Sequence, residues 1–284
     1  MASSRRRAGG IGAAVTTLMA GAAVATLMAG AVPASAATGW APAETAAIHP
    51  GVQTYTAGGQ CTGNFIFRDG VNVYLGQAAH CSSTGGENDT DGCTTPSRPL
   101  GTPVDVVGAS KPGKLVYNSW RTMQAQHETD PNACASNDLA LIKLDPADVG
   151  KVNPSVPFFG GPNGLNTEGA QQSGQVESYG NSKLRGGIAQ LSPKQGTTLQ
   201  SSAGGWSHAV ATMTPGIPGD SGSAFLDAQG NALGILSTLN LAPAPGSNGV
   251  GDLAHELAYM HQHSAAFAHT ELVPGTEPFH NSRL

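Results

Sequence analysis

Basic residues are scarce in this chain. Of its 284 residues only 14 are Lys or Arg, against 19 Asp or Glu, and the formal net charge is −5 at neutral pH. Proteins that bind nucleic acid carry a surplus of basic residues on one face, so this balance argues against a nucleic-acid partner. It is ordinary for a soluble exported protein.

Long apolar runs and internal repeats are also rare or absent. One run of membrane length lies between Ile11 and Val32, and no second one follows it. No segment of roughly 20–50 residues repeats, which argues against solenoid architectures. We therefore expect no membrane partner once the N-terminal segment has been removed.

Residues 1–36 have the pattern of a secretory signal. Arg5–Arg7 supply a positive start, the apolar run follows, and Ala34-Ser35-Ala36 gives a small-residue cleavage site. The adjacent arginines also fit the twin-arginine route, and an uncleaved membrane anchor is the alternative. We expect cleavage after Ala36 and a secreted, extracellular protein, in which residues 37–56 form an N-terminal arm or a short pro-segment.

Cysteine is limited to four residues, Cys61, Cys81, Cys93 and Cys134. An even number in an exported chain suggests two disulfides, with three possible pairings. There is no closely spaced Cys-x-x-Cys pair, so the pattern does not favour zinc, and no metal site is expected from these residues.

From residue 57 onward, short β-forming runs alternate with Gly, Pro, Asn and Asp turns, which is typical of barrels or a sandwich. The clearest hairpin has Asp69-Gly70 between Asn64–Phe67 and Val71–Leu75. Helical periodicity occurs only near the end, at Leu253–His263 with Asp252 as its N-cap. Further strands are predicted at Pro103–Val107, Lys114–Tyr117, Leu139–Lys143, Gln175–Tyr179, Gly187–Leu191, Ser207–Thr212, Ser223–Leu226 and Ala232–Leu236.

Three motifs carry residues suited to nucleophilic catalysis: Ala78-Ala79-His80-Cys81, Asn137-Asp138-Leu139 and Gly219-Asp220-Ser221-Gly222-Ser223. A serine hydroxyl attacks a carbonyl only when a base takes its proton and nearby donors hold the oxyanion. The chain order His, Asp, Ser differs from subtilisin (Asp, His, Ser) and from the α/β-hydrolases (Ser, Asp, His).

At these residues, and over roughly residues 57–260, the sequence resembles the chymotrypsin-like (trypsin-like) serine peptidases, especially their secreted bacterial members. The resemblance implies an all-β fold of two antiparallel six-stranded β-barrels, at residues 57–157 and 158–251, followed by a C-terminal helix and tail at 252–284. The Pro- and Gly-rich segment Phe158–Gly164 would link the two halves, and the site would lie in the cleft between them.

The resemblance also implies the roles of these residues. Ser221 would be the nucleophile, His80 the base and Asp138 the residue that orients His80. The backbone N–H groups of Gly219 and Ser221 would form the oxyanion hole. No cofactor is required. The family's disulfide at the histidine loop would join Cys61 to Cys81, which leaves Cys93 and Cys134 to pair.

The substrate pocket is predicted from the same resemblance. Its base would fall at Pro215, six residues before the nucleophile, and Pro215 cannot supply the carboxylate that selects Lys or Arg. Leu236 stands where glutamate-specific relatives carry a histidine, and Asp252, the only nearby acid, is better explained as a helix cap. The walls would come from Ser237, Thr238, Leu239 and Gly249, and Ser237 would also donate a hydrogen bond to Asp138. We therefore expect cleavage after apolar or neutral residues.

Asp220 needs a partner if it is buried. The chain lacks the Ile-Val-Gly-Gly start that pairs with this acid in trypsin-like enzymes, and Ile48-His49-Pro50-Gly51 is only a faint echo of it. Several bacterial members of the family pair this acid with an internal arginine, so the resemblance implies that Arg185 pairs with Asp220, the alternative being a solvated charge on a turn.

Weaker candidates remain. The oxygen-rich stretch Glu87–Gly92 fits either calcium or a solvated polar loop, and it lacks the terminal bidentate glutamate of a calcium loop. His261 and His263 would point to different faces of a helix, which argues against a metal site. His208 lies in a predicted strand and is interpreted as structural.

Together these features predict a monomeric secreted serine endopeptidase that acts on protein or peptide substrates. The alternatives are a catalytically silent homologue that serves as a binding module, and an esterase or narrow-specificity processing enzyme with the same triad.

Overall fold

The computed structural model describes residues 39–86, 89–240 and 243–281. The predicted signal segment, residues 1–36, lies outside the described residues. Among the described residues, no helix is both long enough and apolar enough to cross a membrane.

The first half of the chain forms an antiparallel sheet. Its strands in chain order are β1 (Gln53–Thr56), β2 (Gly59–Thr62), β3 (Ile66–Arg68), β4 (Val73–Ala78), β5 (Pro103–Val106), β6 (Gly113–Asn118) and β7 (Leu139–Lys143). The predicted hairpin is confirmed, because β3 and β4 pair with Ile66 opposite Leu75 and Arg68 opposite Val73.

The second half forms a closed barrel of six antiparallel strands, as predicted. These are β8 (Gln175–Tyr179), β9 (Pro193–Ser202), β10 (Ser207–Thr212), β11 (Ala224–Asp227), β12 (Ala232–Asn240) and β13 (Ser247–Asp252). The barrel order is β10-β13-β12-β11-β8-β9.

The N-terminal sheet differs from the expected six strands. The C-terminal tail adds β14 (Glu271–Leu272), which pairs with β3, so that the order is β14-β3-β4-β7-β6-β5-β1-β2. Closure of this sheet into a second barrel stays a prediction, since the pairings among the described strands give an eight-stranded sheet.

In the part of the chain that the structure describes, three α-helices lie outside the sheets: α1 (Ser119–Gln126), α2 (Pro131–Ser136) and α3 (Leu253–His263). The prediction of α3 is confirmed with its bounds, and the Asp252 side chain caps it by accepting from the His255 N–H. Helices α1 and α2 were not predicted, although Asn118 and Asp130 cap them. Both helices are short, and their apolar spacing gives little signal.

One strand prediction is wrong. Residues 187–191 contain the 3₁₀ turn Ala189–Leu191, and the strand begins only at Pro193. Ile188 and Leu191 are exposed, so the apolar residues that suggested a strand cover no sheet face here.

A shared apolar cluster connects the two halves around α3. It joins Leu139 and Leu141 of β7 to Leu226 of β11, and both strands to Leu253 and Leu257 of α3. Asp138 directly precedes β7 and Ser221 lies three residues before β11. The cluster therefore fixes the bases of the two loops that carry these residues.

The N-terminal arm is part of the packed fold. Ile48 is fully buried and forms a parallel bridge with Val152. Its N–H donates to the Lys151 carbonyl at 3.1 Å, and its own carbonyl accepts from the Asn153 N–H at 2.9 Å. The backbone of Ile48 is thus hydrogen-bonded through both its N–H and its carbonyl group.

Both implied disulfides are confirmed. Cys61 of β2 is bonded to Cys81, and Cys93 is bonded to Cys134 of α2. The first bond ties the turn that follows β4 back to β2. That turn contains His80.

Candidate active site

His80 and Asp138 meet because β4 and β7 are paired. Ala78 at the end of β4 lies opposite Leu139 at the start of β7, so the residues just beyond them are adjacent. The His80 ring nitrogen Nδ1 lies 2.7 Å from Asp138 Oδ2, and the His80 backbone N–H donates to Asp138 Oδ1 at 2.9 Å. The carboxylate therefore fixes both the ring and the backbone of the histidine.

This contact changes the protonation of His80. Burial disfavours the charged ring, but the charge of the Asp138 carboxylate and its hydrogen bond outweigh burial, so the pKa of His80 is raised above its ordinary value. The His80 side chain is 26% exposed and that of Asp138 only 3%. The His80 ring can thus exchange a proton on its solvent-exposed side, while the Asp138 carboxylate is shielded from solvent.

Ser237 completes the surroundings of Asp138, as the sequence analysis expected. Its hydroxyl donates to Asp138 Oδ2 at 2.6 Å. Ser237 belongs to β12 of the barrel, whereas Asp138 belongs to the N-terminal sheet. The hydrogen bond therefore runs from one half of the protein to the other, directly at the candidate site.

The loop that contains Ser221 is packed against the N-terminal sheet. The Ser221 carbonyl accepts from the Thr62 N–H at 2.9 Å. A Cβ at position 222 would lie 2.6 Å from the Thr62 carbonyl oxygen and 2.8 Å from the Ala78 nitrogen, so only glycine allows this approach. The loop thereby reaches the strand end that precedes His80.

The Ser221 side chain is half-buried and makes no hydrogen bond to any described residue. Catalytic hydrogen bonds are often long before substrate binds and tighten in the complex. Contact between the Ser221 hydroxyl and His80 stays a prediction.

The backbone N–H groups of Gly219 and Ser221 have no acceptor among the described residues. The carbonyls of the same two peptide units are both held. The Ser182 hydroxyl donates to the Pro218 carbonyl at 2.6 Å, and the Ser223 N–H donates to the Asp220 carbonyl at 3.0 Å. Because N–H and C=O point in opposite directions across a trans peptide, these bonds orient two free donors. An oxyanion hole needs two such donors aimed at one point, and that role for Gly219 and Ser221 stays a prediction.

Arg185 is paired with Asp220, as the sequence predicted. Its Nη2 atom lies 2.6 Å from Asp220 Oδ2, with the arginine side chain 8% exposed and the carboxylate fully buried. The backbone N–H groups of Ser182 and Ile217 donate to the same carboxylate at 2.9 and 3.1 Å. Asp220 is therefore an anchor for the whole loop.

A second cation at this anchor was missed. Lys194 of β9 is fully buried, and its Nζ lies 3.1 Å from Asp220 Oδ2. Burial, opposed by the charge of Asp220 and assisted by that of Arg185, lowers the pKa of Lys194 to about 8. A lysine in an otherwise polar strand gives no local signal that its side chain points inward.

The predicted pocket residues lie on three segments. Pro215 is exposed, and its carbonyl accepts from Arg185 at 2.8 Å. Ser237 and Thr238 are half-buried, while Leu239 is exposed. A Cβ at Gly249 would lie 2.2 Å from Thr238 Oγ1, so two predicted walls are in close contact.

Asn248 was not singled out from the sequence, yet it joins these segments. It is buried, and its amide accepts from the Gly216 N–H at 2.8 Å. It also donates to the carbonyls of Gly216 and Thr238, both at 3.3 Å. A neutral amide therefore spans the space between the segments that begin at Pro215 and Ser237.

Asp252 has no carboxylate oxygen free for a substrate. His208 Nε2 lies 2.8 Å from Oδ2, and the side chain and the backbone N–H of His255 both contact Oδ1. His208 is also 2.9 Å from the Ser201 hydroxyl through Nδ1. His208 is 1% exposed, which is consistent with the structural role expected of it.

The remaining candidates are the oxygen-rich stretch Glu87–Gly92 and the two histidines near the C-terminus. Glu87 and Asn88 of the proposed calcium loop lie outside the described residues, so that alternative stays open. His261 contacts the Thr270 carbonyl at 2.8 Å, whereas His263 stacks on Tyr259 with ring centres 4.2 Å apart. The two side chains point to different partners, as expected from their spacing.

No protein-family model and no curated protein matches the sequence. Several solved structures are similar in fold. Thermobifida fusca protease A has a TM-score of 0.51 and 18% identity over 80% of this chain and 99% of its own. Cellulomonas bogoriensis chymotrypsin has a TM-score of 0.46 and 16% identity over 80% of this chain and 98% of its own. A Nocardiopsis protease has a TM-score of 0.46 and 16% identity over 79% of this chain and 98% of its own. The likeness to Thermobifida fusca protease A, whose TM-score is above 0.5, shows that the chain has a chymotrypsin-like fold.

The ion pair between Arg185 and Asp220 leads to a testable expectation. In Arg185→Ala, the carboxylate keeps only Lys194 as a cation, and the loop loses the bond from Arg185 to the Pro215 carbonyl. We expect Ser221 to react with a serine-directed phosphonate at least about tenfold more slowly, equivalent to about 1.4 kcal/mol in the barrier. Labelling rates followed by mass spectrometry measure this.

Lys183→Ala is the matched control, because Lys183 lies on the same turn, is exposed and forms no ion pair among the described residues. It should label at the rate of the parent protein. Equal rates for Arg185→Ala and the parent, or labelling that requires prior cleavage before Ile48, would contradict the role of Arg185.

Proposed function

We propose that this protein is a secreted serine endopeptidase that hydrolyses peptide bonds through an acyl-enzyme. The observation that carries the proposal is the geometry at His80: its ring is held by Asp138 at 2.7 Å, and Asp138 accepts from Ser237 at 2.6 Å. The loop with Ser221 and two unpaired N–H donors packs against the strand end that precedes this histidine. The two disulfides and the fold similarity add support for an exported protease.

In this proposal Ser221 attacks the scissile carbonyl carbon while His80 Nε2 takes the hydroxyl proton. Asp138 holds the Nδ1–H tautomer and stabilises the imidazolium that forms. The N–H groups of Gly219 and Ser221 donate to the oxyanion. His80 then gives its proton to the leaving amine, and water, activated by the same histidine, releases the acid product.

The first test is Ser221→Ala. We expect loss of proteolysis on the order of 10⁶-fold in turnover, because a triad acts as a unit and its nucleophile is the group that bonds to the substrate. Hydrolysis of an unfolded protein and of small esters should be measured in parallel. Circular dichroism should show an unchanged fold.

The same assay separates the alternatives. A silent binding module would show neither hydrolysis nor phosphonate labelling in the parent protein. An esterase or narrow processing enzyme would hydrolyse esters or a single sequence and leave the unfolded protein intact. Full proteolysis by Ser221→Ala would refute the mechanism.

Substrate preference is the second test. Pro215 supplies no carboxylate, the buried carboxylate of Asp220 is paired with two cations, Asn248 offers a neutral amide, and Asp252 is engaged by two histidines. Burying a charged side chain without a partner is costly. Cleavage of a diverse peptide library should therefore follow apolar or neutral residues, whereas a profile dominated by Lys, Arg or Glu would contradict this reading.

The pH dependence is the third test. His80 must be neutral to accept a proton, and its pKa is raised. kcat/KM should therefore fall as the pH decreases through that pKa, with the half-maximal point above the ordinary histidine value of about 6.5. In Ser237→Ala the Asp138 carboxylate loses a donor and attracts the imidazolium more strongly, so this point should move to higher pH. A midpoint below the ordinary value in the parent protein would contradict the expectation.

A further inference from the structure

A second carboxyl group lies directly behind Asp138. Glu256 of α3 is fully buried, and its Oε1 accepts from the backbone N–H of Asp138 at 2.8 Å. The Asp138 carbonyl accepts from the Ala79 N–H at 2.5 Å. The two ends of this residue's backbone are thus held by the helix on one side and by the histidine turn on the other.

The structure makes room for this carboxyl group. A Cβ at position 251 would lie 2.6 Å from Glu256 Oε1, so Gly251 of β13 is what admits it. The other oxygen, Oε2, is buried and has no hydrogen-bond partner among the described residues. An ionised carboxylate in such a place would keep one oxygen wholly unsolvated.

No cation faces Glu256 among the described residues, since none forms an ion pair with it. The titratable groups around it are the carboxylates of Asp138 and Asp252 and the hydroxyl of Tyr117 from β6. Burial raises the pKa of Glu256 well above its usual range, the hydrogen bond from the Asp138 N–H opposes the rise, and the charges of Asp138 and Asp252 add to it. Burial and the two neighbouring carboxylates therefore favour a protonated acid.

We propose that Glu256 is a positioning residue, an uncharged carboxylic acid that holds the backbone of Asp138 from behind and leaves Asp138 as the one negative charge presented to His80. The inference rests on the proposed function. With the proton on Oε2, Oε1 still accepts the Asp138 N–H. A charge on Glu256 would instead add a second carboxylate close behind the imidazolium and hold its proton more tightly.

Two substitutions separate the hydrogen bond from the charge. Glu256→Gln keeps an acceptor of the same shape and carries no charge. It should therefore retain kcat within about twofold, with an unchanged acid limb of kcat/KM. Glu256→Leu removes the acceptor and should lower kcat at least about tenfold with little change in KM, because substrate does not touch Glu256. Glu44→Gln, at an exposed glutamate, is the control and should match the parent protein.

Each outcome of these measurements either supports or contradicts the proposed role of Glu256. If Glu256→Gln moves the acid limb to lower pH, Glu256 carries a charge in the parent protein and the proposal is wrong. If Glu256→Leu folds and keeps its kcat, the positioning role is wrong. Should Glu256→Leu fail to fold, the infrared spectrum of the parent protein minus that of Glu256→Gln at neutral pH remains decisive. A protonated-carboxyl band supports the proposal and a carboxylate band overturns it.

The infrared measurement needs no activity. Failure of the proposed function would appear as Ser221-independent hydrolysis or as none. Failure of this inference would leave Ser221-dependent proteolysis intact.

Discussion

The buried carboxylate of Asp220 is the interaction on which the candidate site depends. It contacts Arg185 at 2.6 Å and Lys194 at 3.1 Å, and two backbone N–H groups donate to it. A buried charge is tolerated only when it is paired and hydrogen-bonded. The loop can therefore keep Asp220 buried in this conformation only because these four partners are in place. The loop that they fix is the one that exposes the N–H groups of Gly219 and Ser221.

The cations that hold Asp220 come from side chains of the protein and not from a chain terminus. Ile48 is buried and bonded through its backbone on both sides, so residue 48 does not supply a free amino group to Asp220 in this structure. Arg185 and Lys194 take that electrostatic role, and the chain has only 14 basic residues in all. Both cations belong to the same half of the chain as the loop, since β9 carries Lys194 and the turn before it carries Arg185.

The sequence predicted the parts of the site that local patterns encode. The motifs around His80, Asp138 and Ser221, the hairpin at Asp69-Gly70 and the capped helix after Asp252 are short-range signals. The catalytic roles of His80, Asp138 and Ser221 were implied by the family resemblance and stay predictions. The partnership of Arg185 with Asp220 was predicted only through a family resemblance. Lys194, Asn248 and Glu256 were missed because each acts on a segment distant in the chain. Glu256, for example, lies 118 positions from Asp138 along the sequence.

The elements of the fold likewise divide into those that local sequence patterns predicted and those that depend on distant parts of the chain. Strands with clear alternation were predicted well, whereas the exposed run at residues 187–191 was mistaken for one. The tail strand β14 could not be predicted either, because its two residues become a strand only by pairing with β3. Pairing partners are a property of the folded chain, and a two-residue strand has no pattern of its own.

The three buried acids of the site show how one environment can produce different charge states. Asp220 has two cations, and Asp138 has the His80 ring together with a hydroxyl and an N–H donor. Glu256 has one N–H donor and carboxylate neighbours. Burial penalises charge at all three positions, so the donors and cations nearby favour or oppose ionisation. On our proposal, Asp138 presents the one negative charge to the histidine, Asp220 is held by its two cations, and Glu256 is a neutral acid between the strand that follows Asp138 and the helix that packs against it.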